Sequence, residues 1–236
     1  MWKVLLPLSY KSNFQDFMKN EIMKYSPEYA LRKVKLFNPE NILQNKSGGG
    51  VLAFLHFGSF FLSGLALKEL LPIEYTAVAS RSNLKYLSQE EFHFWTDVHN
   101  KINGLYSREL FFTSEKPRNF IQWLNNKKYL GVALDVIEAG RQNKLASFKF
   151  LGEEVFYQTS AARLARISKK PLFSMTIRYS PLWRNHILHI GKPRIVEDEL
   201  ISTQQILTEM EEIVRSHRYQ FFHDIHKPFQ NITEQA

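Results

Sequence analysis

Residues 52–64 read L-A-F-L-H-F-G-S-F-F-L-S-G, and they place a base, a turn and a helix start in immediate succession. An apolar run ends in His56, Phe57 and Gly58 follow, and a helical pattern begins near Ser59. A histidine at such a strand end is held by the sheet yet faces the crevice where open α/β sheets take ligands. Imidazole titrates near neutral pH, so His56 suits the role of general base. A satisfied histidine that packs the strand end is the plainer reading of the same residue. Gly58 suits a tight turn. Ser59 suits an N-cap, and the first N–H groups of its helix suit an anion or a developing oxyanion. An ordinary strand–turn–helix junction would look the same.

Other constellations carry less. The chain has no Cys, which excludes disulfides, thiol catalysis and Cys-ligated metal. Glu90, His93 and Asp97 recur on one helical face, but a metal there would need ligands from elsewhere, and a solvated face is expected. His217, His223 and His226 match no zinc spacing, and the aromatic tail around them is expected to pack on the domain. No metal and no resident cofactor is predicted. Gly48–Gly49–Gly50 precede a strand instead of following one, so they form no nucleotide-binding loop. The formal net charge of +8 favours anionic partners: anionic lipid, an acidic carrier protein or a phosphorylated substrate. The basic clusters are short and read as solvated faces. With no RNP-like motif and no zinc-finger spacing, nucleic acid is not an expected partner.

The elements that must position these residues follow from the apolar pattern. The chain has 236 residues and is 44% hydrophobic, enough for one large domain with a true core. Residues 1–47 read as an N-terminal helical segment packed on that core, and 48–236 as the main domain. Strands are expected at 51–55, 75–80, 110–112, 129–134, 146–150, 155–157, 171–179 and 186–190. Helices are expected at 60–71, 84–103, 117–126 (opened by Ser114), a segment capped by Thr159 and ending at Ser168, and 203–215. This alternation predicts an α/β fold, a mostly parallel central sheet flanked by helices. No run reaches the ~20 apolar residues of a membrane span. The segment 1–8 is too short and broken for a secretory signal. A cytoplasmic protein, peripheral on the inner face of the membrane, is the expected setting.

Taken together, several stretches carry a resemblance. His56-Phe57-Gly58-Ser59 follows one strand and Arg81-Ser82-Asn83 the next. Asp135 closes a third and leads into Gly140-Arg141-Gln142. Phe148-Lys149-Phe150-Leu151-Gly152 precedes Thr159-Ser160-Ala161-Ala162-Arg163, and Tyr219-Gln220-Phe221-Phe222-His223 stands near the end. This order resembles the bacterial lipid A biosynthesis (lauroyl/myristoyl) acyltransferases, within the lysophospholipid acyltransferase superfamily, over roughly residues 48–226. The resemblance implies transfer of an acyl chain from an acyl-carrier-protein or coenzyme A thioester to a hydroxyl or amine. In that family a histidine and an acid five positions later deprotonate the acceptor. The histidine carries over to His56, but the acid position holds Phe61.

The resemblance assigns Arg81 to phosphate or the thioester region and Asp135 to the supporting acid. Gly58, Ser59, Phe61, Asn83 and Arg163 complete the expected substrate contacts, although Arg163 suits a structural ion pair equally well. Three ways around Phe61 stay open. Asp135 or Glu138, at or beyond a neighbouring strand end, reaches His56; or an amine acceptor needs less help losing its proton; or the chain is an inactive relative that binds acyl chains or partners an active enzyme.

Overall fold

The computed structural model describes residues 14–45, 48–80, 88–136 and 145–221. Helices α1 (Phe14–Ile22) and α2 (Pro27–Lys33) lead into β1 (Val34–Phe37) and a single helical turn, α3 (Glu40–Leu43). The central repeat follows: β2 (Gly50–Phe54), α4 (Phe60–Leu70), β3 (Tyr75–Ala79), α5 (Gln89–Leu105), β4 (Phe111–Phe112), α6 (Pro117–Asn125) and β5 (Tyr129–Ala133). A separate antiparallel hairpin, β6 (Leu145–Phe150) and β7 (Glu153–Gln158), precedes α7 (Ser160–Ser168). Strands β8 (Leu172–Ser180) and β9 (Asn185–Ile190) come next, then α8 (Glu199–Ser216) and a short 3-10 turn (Arg218–Gln220).

Seven strands form one sheet in the order β1-β9-β8-β2-β5-β3-β4. Every pair is parallel except β8–β9, which a turn at 181–184 joins antiparallel. The fold is therefore α/β with a mostly parallel sheet and helices on both faces. The alternation of the central strands decides which core each side chain enters. Leu52 and Phe54 of β2 join α1, α2, α4 and α5 on one face, whereas Val51 and Ala53 join α6, α7 and α8 on the other. β2 and β5 are buried along their whole length, as parallel strands covered on both faces must be. Helix α4 is apolar nearly all round because it is sandwiched: Leu62, Leu65, Ala66 and Leu67 are all fully buried.

Four local expectations change. The segment 1–47, read as helical, contributes β1 to the main sheet. Val-Lys-Leu-Phe is too short to show a period, and only Val34 is buried; the open edge of β9 recruits it. Helix α6 is entered from Lys116 with Pro117 in its first turn, not from Ser114. Thr159 makes no capping hydrogen bond to α7; its hydroxyl donates to Glu199. Helix α8 begins a turn earlier than its apolar pattern, because the Asp198 carboxylate accepts the Ile201 N–H and caps it.

Candidate functional site

The parallel register of β2 and β5 builds the site. Ala53 lies opposite Val132 and Phe54 opposite Ala133, and the Leu134 N–H donates to the Phe54 carbonyl just beyond. Carried two residues further, the same register sets His56 opposite Asp135. Both residues therefore stand at the C-terminal edge of neighbouring parallel strands, where open α/β sheets take ligands. The Asp135 carboxylate accepts twice: Oδ1 from His56 Nδ1 at 2.9 Å, and Oδ2 from the His56 backbone N–H at 2.9 Å. Asp135 is fully buried, and these two bonds offset the cost of taking its charge out of water.

With Nδ1–H given to the carboxylate, His56 carries its lone pair on Nε2. This is the tautomer and orientation a general base requires, and the carboxylate stabilises the imidazolium that proton uptake creates. The imidazole keeps a small exposed face, its side chain being 12% accessible. Phe60 packs edge-on against it at 4.6 Å between ring centres, and Phe54 lies at 6.0 Å. Phe61, at the position where an acid was expected, packs instead on Phe60 (4.1 Å) and Trp95 (5.8 Å). The carboxylate beside His56 comes from just beyond β5, and α4 places an aromatic ring at the position where the acid was expected.

The turn between them is fixed by close approach. Gly58 has φ +57°, and a Cβ there would sit 2.0 Å from the Ile177 carbonyl oxygen of β8. Its N–H donates to the Gln220 carbonyl at 2.8 Å, so it is not available to an oxyanion as a substrate contact. Gln220, itself fully buried, bonds both the N–H and the carbonyl of Tyr179 through its side-chain amide. Phe57 forms an isolated bridge with Phe221. The chain after α8 thus staples the His56 turn to β8.

Ser59 does not cap α4 and does not face a substrate. It is 1% exposed, and its hydroxyl meets His186 Nδ1 of β9 at 2.5 Å. Beyond, His186 Nε2 lies 3.0 Å from the Tyr29 hydroxyl, which donates to Glu21. Burial pushes His186 down to about 4, so the ring is neutral and the chain runs consistently from Ser59 O–H to the Glu21 carboxylate.

Arg163 takes the structural role of its two. Its guanidinium is exposed and pairs with Glu199 of α8 at 3.1 Å, a carboxylate it shares with Arg166. Arg81, Asn83, Glu138 and the 140–142 loop lie outside the described residues, as do His223 and His226. His217 is half-buried at the end of α8, where its Nε2 meets Arg178 Nη1 at 3.4 Å. Glu90, His93 and Asp97 are exposed on α5. Among the described residues no group of three or more His, Asp or Glu is placed to hold a metal, and no helix is long and apolar enough to cross a membrane.

Two neighbours of the site come from the β6–β7 hairpin. The Gln158 N–H donates to the Leu134 carbonyl at 3.0 Å and its amide to the Val136 carbonyl at 2.6 Å, so β7 clasps the backbone on both sides of Asp135. Burial, and next the negative charge of Asp135, push the Tyr157 hydroxyl well above its usual range, so Tyr157 stays protonated as a donor. Nothing in the local sequence marks either residue.

No protein-family model matches this chain, and no curated protein matches it. Among solved structures, the crystal structure of the 1-acyl-sn-glycerophosphate (LPA) acyltransferase, PlsC, from Thermotoga maritima is similar at 13% sequence identity and a TM-score of 0.48. The match covers 89% of this chain and 84% of that one.

Proposed function

We propose that this protein transfers an acyl chain from a carrier thioester to a hydroxyl or amine, with His56 as the base. The observation that carries the reading is the His56–Asp135 pair at the C-terminal edge of two adjacent parallel strands, 2.9 Å apart through Nδ1. His56 Nε2 takes the proton of the acceptor as its oxygen or nitrogen attacks the thioester carbonyl. Asp135 holds the ring and stabilises the imidazolium. The tetrahedral intermediate collapses, the carbon–sulfur bond breaks, and the proton on His56 goes to the leaving thiolate. The wall of Phe60, Phe61 and Trp95 beside the base suits an apolar chain. The acyl donor is an acyl-carrier protein or coenzyme A thioester, a co-substrate and not a bound cofactor. Arg81 and Asn83, just beyond β3, and the loop after Asp135 are the proposed contacts for its phosphate or thioester region. The ordered motifs that resemble the lipid A acyltransferases support the same reading.

The test is acyl transfer followed by mass spectrometry, with acyl-carrier-protein and coenzyme A thioesters offered to hydroxyl and amine acceptors. Turnover that disappears in His56→Ala is the expected result. If wild type binds thioester but yields no acylated product from any pair, the groove serves binding alone and the enzymatic reading falls.

A further inference from the structure

The turn between β8 and β9 exposes two large apolar side chains on the same edge of the sheet as His56. Leu182 is 73% and Trp183 65% accessible, and neither packs into either core. β8 pairs with β2 in parallel, Ser174 opposite Ala53, and then runs on to Ser180. At about 3.3 Å per residue, the turn stands roughly 10 Å beyond the level of His56. It is also tied to the site's framework, because His186 at the start of β9 holds Ser59 at the start of α4.

The surroundings of this tip are cationic. Arg184 belongs to the turn, and Lys35 of β1 sits over the Trp183 ring at 5.6 Å. β1 runs parallel to β9 with Val34 opposite His186, which brings Lys33 and Arg32 at the end of α2 to the same corner. Leu31 beside them is 54% exposed. Residues 31–38 and 155–196 contain no Asp or Glu, so neither β1 nor the β8–β9 hairpin offers a carboxylate to answer these charges. The exposed carboxylate on α2 is Glu28, whose backbone carbonyl accepts from Arg32 Nε.

We infer that this corner, with Leu182 and Trp183 at its tip and Arg32, Lys33, Lys35 and Arg184 around it, docks the protein on an anionic lipid surface. Tryptophan and leucine on a protruding turn enter the headgroup boundary, where the indole finds both an apolar and a wet side. Lysine and arginine flanking them gain from the negative surface potential within a Debye length. Docking at this corner turns the His56 edge of the sheet toward the lipid. In this respect the inference rests on the acyl-transfer reading, for it makes the apolar substrate membrane-borne.

The experiment is co-sedimentation of the full chain with vesicles of phosphatidylcholine, alone or mixed with phosphatidylglycerol. Binding to the mixed vesicles that weakens with salt is expected. It should fall about tenfold or more in the Leu182→Ser/Trp183→Ser double variant, and again in Lys35→Glu/Arg184→Glu, a pair that leaves the apolar tip intact. Thermal melts of both variants should match wild type, since all four side chains are exposed. No binding to anionic vesicles, or equal binding by the variants, overturns the inference. So does loss of acyl-carrier-protein binding in the charge variant with vesicle binding unchanged, which would give the corner to the carrier. The two readings fail separately. Tip variants should keep transfer to a water-soluble acceptor, whereas His56→Ala should lose transfer and still bind vesicles.

Discussion

Two histidines flank the entry to α4, and each heads a chain of hydrogen bonds that ends in a carboxylate. His56 meets its carboxylate directly, through Nδ1, and keeps one ring face open. His186 is fully buried, meets Ser59 on one nitrogen and Tyr29 on the other, and reaches Glu21 only through the Tyr29 hydroxyl. By residue type the second set looks the more catalytic, since serine, histidine and an acid are the parts of a nucleophilic triad. It has no access to substrate. A base needs a partner on one nitrogen and a reachable lone pair on the other. His56 has the partner and an exposed face, while His186 spends both ring nitrogens on Ser59 and Tyr29 and so fixes the packing of α1, α2, α4 and β9.

Asp135→Asn is the sharpest way to break the contrast. It removes the charge behind His56 while keeping the size of the side chain, and kcat for acyl transfer should fall about 10⁴-fold, as in comparable triads. Adding Phe61→Glu to that variant should not restore activity, because residue 61 packs on Phe60 and Trp95, and it is Phe60 that lies against the imidazole. Recovery of even a tenth of wild-type turnover would show that α4 can supply the acid.

Gly58→Ala attacks the frame shared by both histidines. The left-handed backbone and the Ile177 carbonyl behind it should cost about 3 kcal/mol or more in chemical denaturation. A smaller loss would mean that the turn has slack.

Acid should separate the two networks by stability. The folded His186 is pushed down to about 4 by burial, so between that value and its ordinary 6.5 the unfolded chain takes a proton that the folded one refuses. Its contribution is complete above pH 6.5 and declines as pH falls, by about 2 kcal/mol at pH 5. Denaturation midpoints at pH 7 and 5 should differ by at least this much, since burial also pushes His189 down to about 4, and His186→Gln should remove only the His186 share. The smallest effect belongs to Arg163→Gln. Glu199 retains Arg166, so the change in stability should stay within about 0.5 kcal/mol, with kcat untouched.

The alternation of buried strands and helices was legible in the sequence because apolar runs of five or six residues, punctuated by glycine and proline, recur along it. His56 and Asp135 stood out for the same reason: each is the first ionisable residue after such a run. Their pairing was open at that level, since Asp135 and Glu138 both stood at or beyond a neighbouring strand end. His56 and Asp135 are 79 residues apart, and only the register of β2 against β5 brings one carboxylate to one imidazole. β1 was hidden because a four-residue edge strand is made by the neighbour it joins and not by its own pattern. By local type Ser59 suits a cap and Gly58 a tight turn. The tertiary structure spends the first on His186 and the second on Gln220, because inside a packed core every polar group must find its partner wherever the chain happens to return.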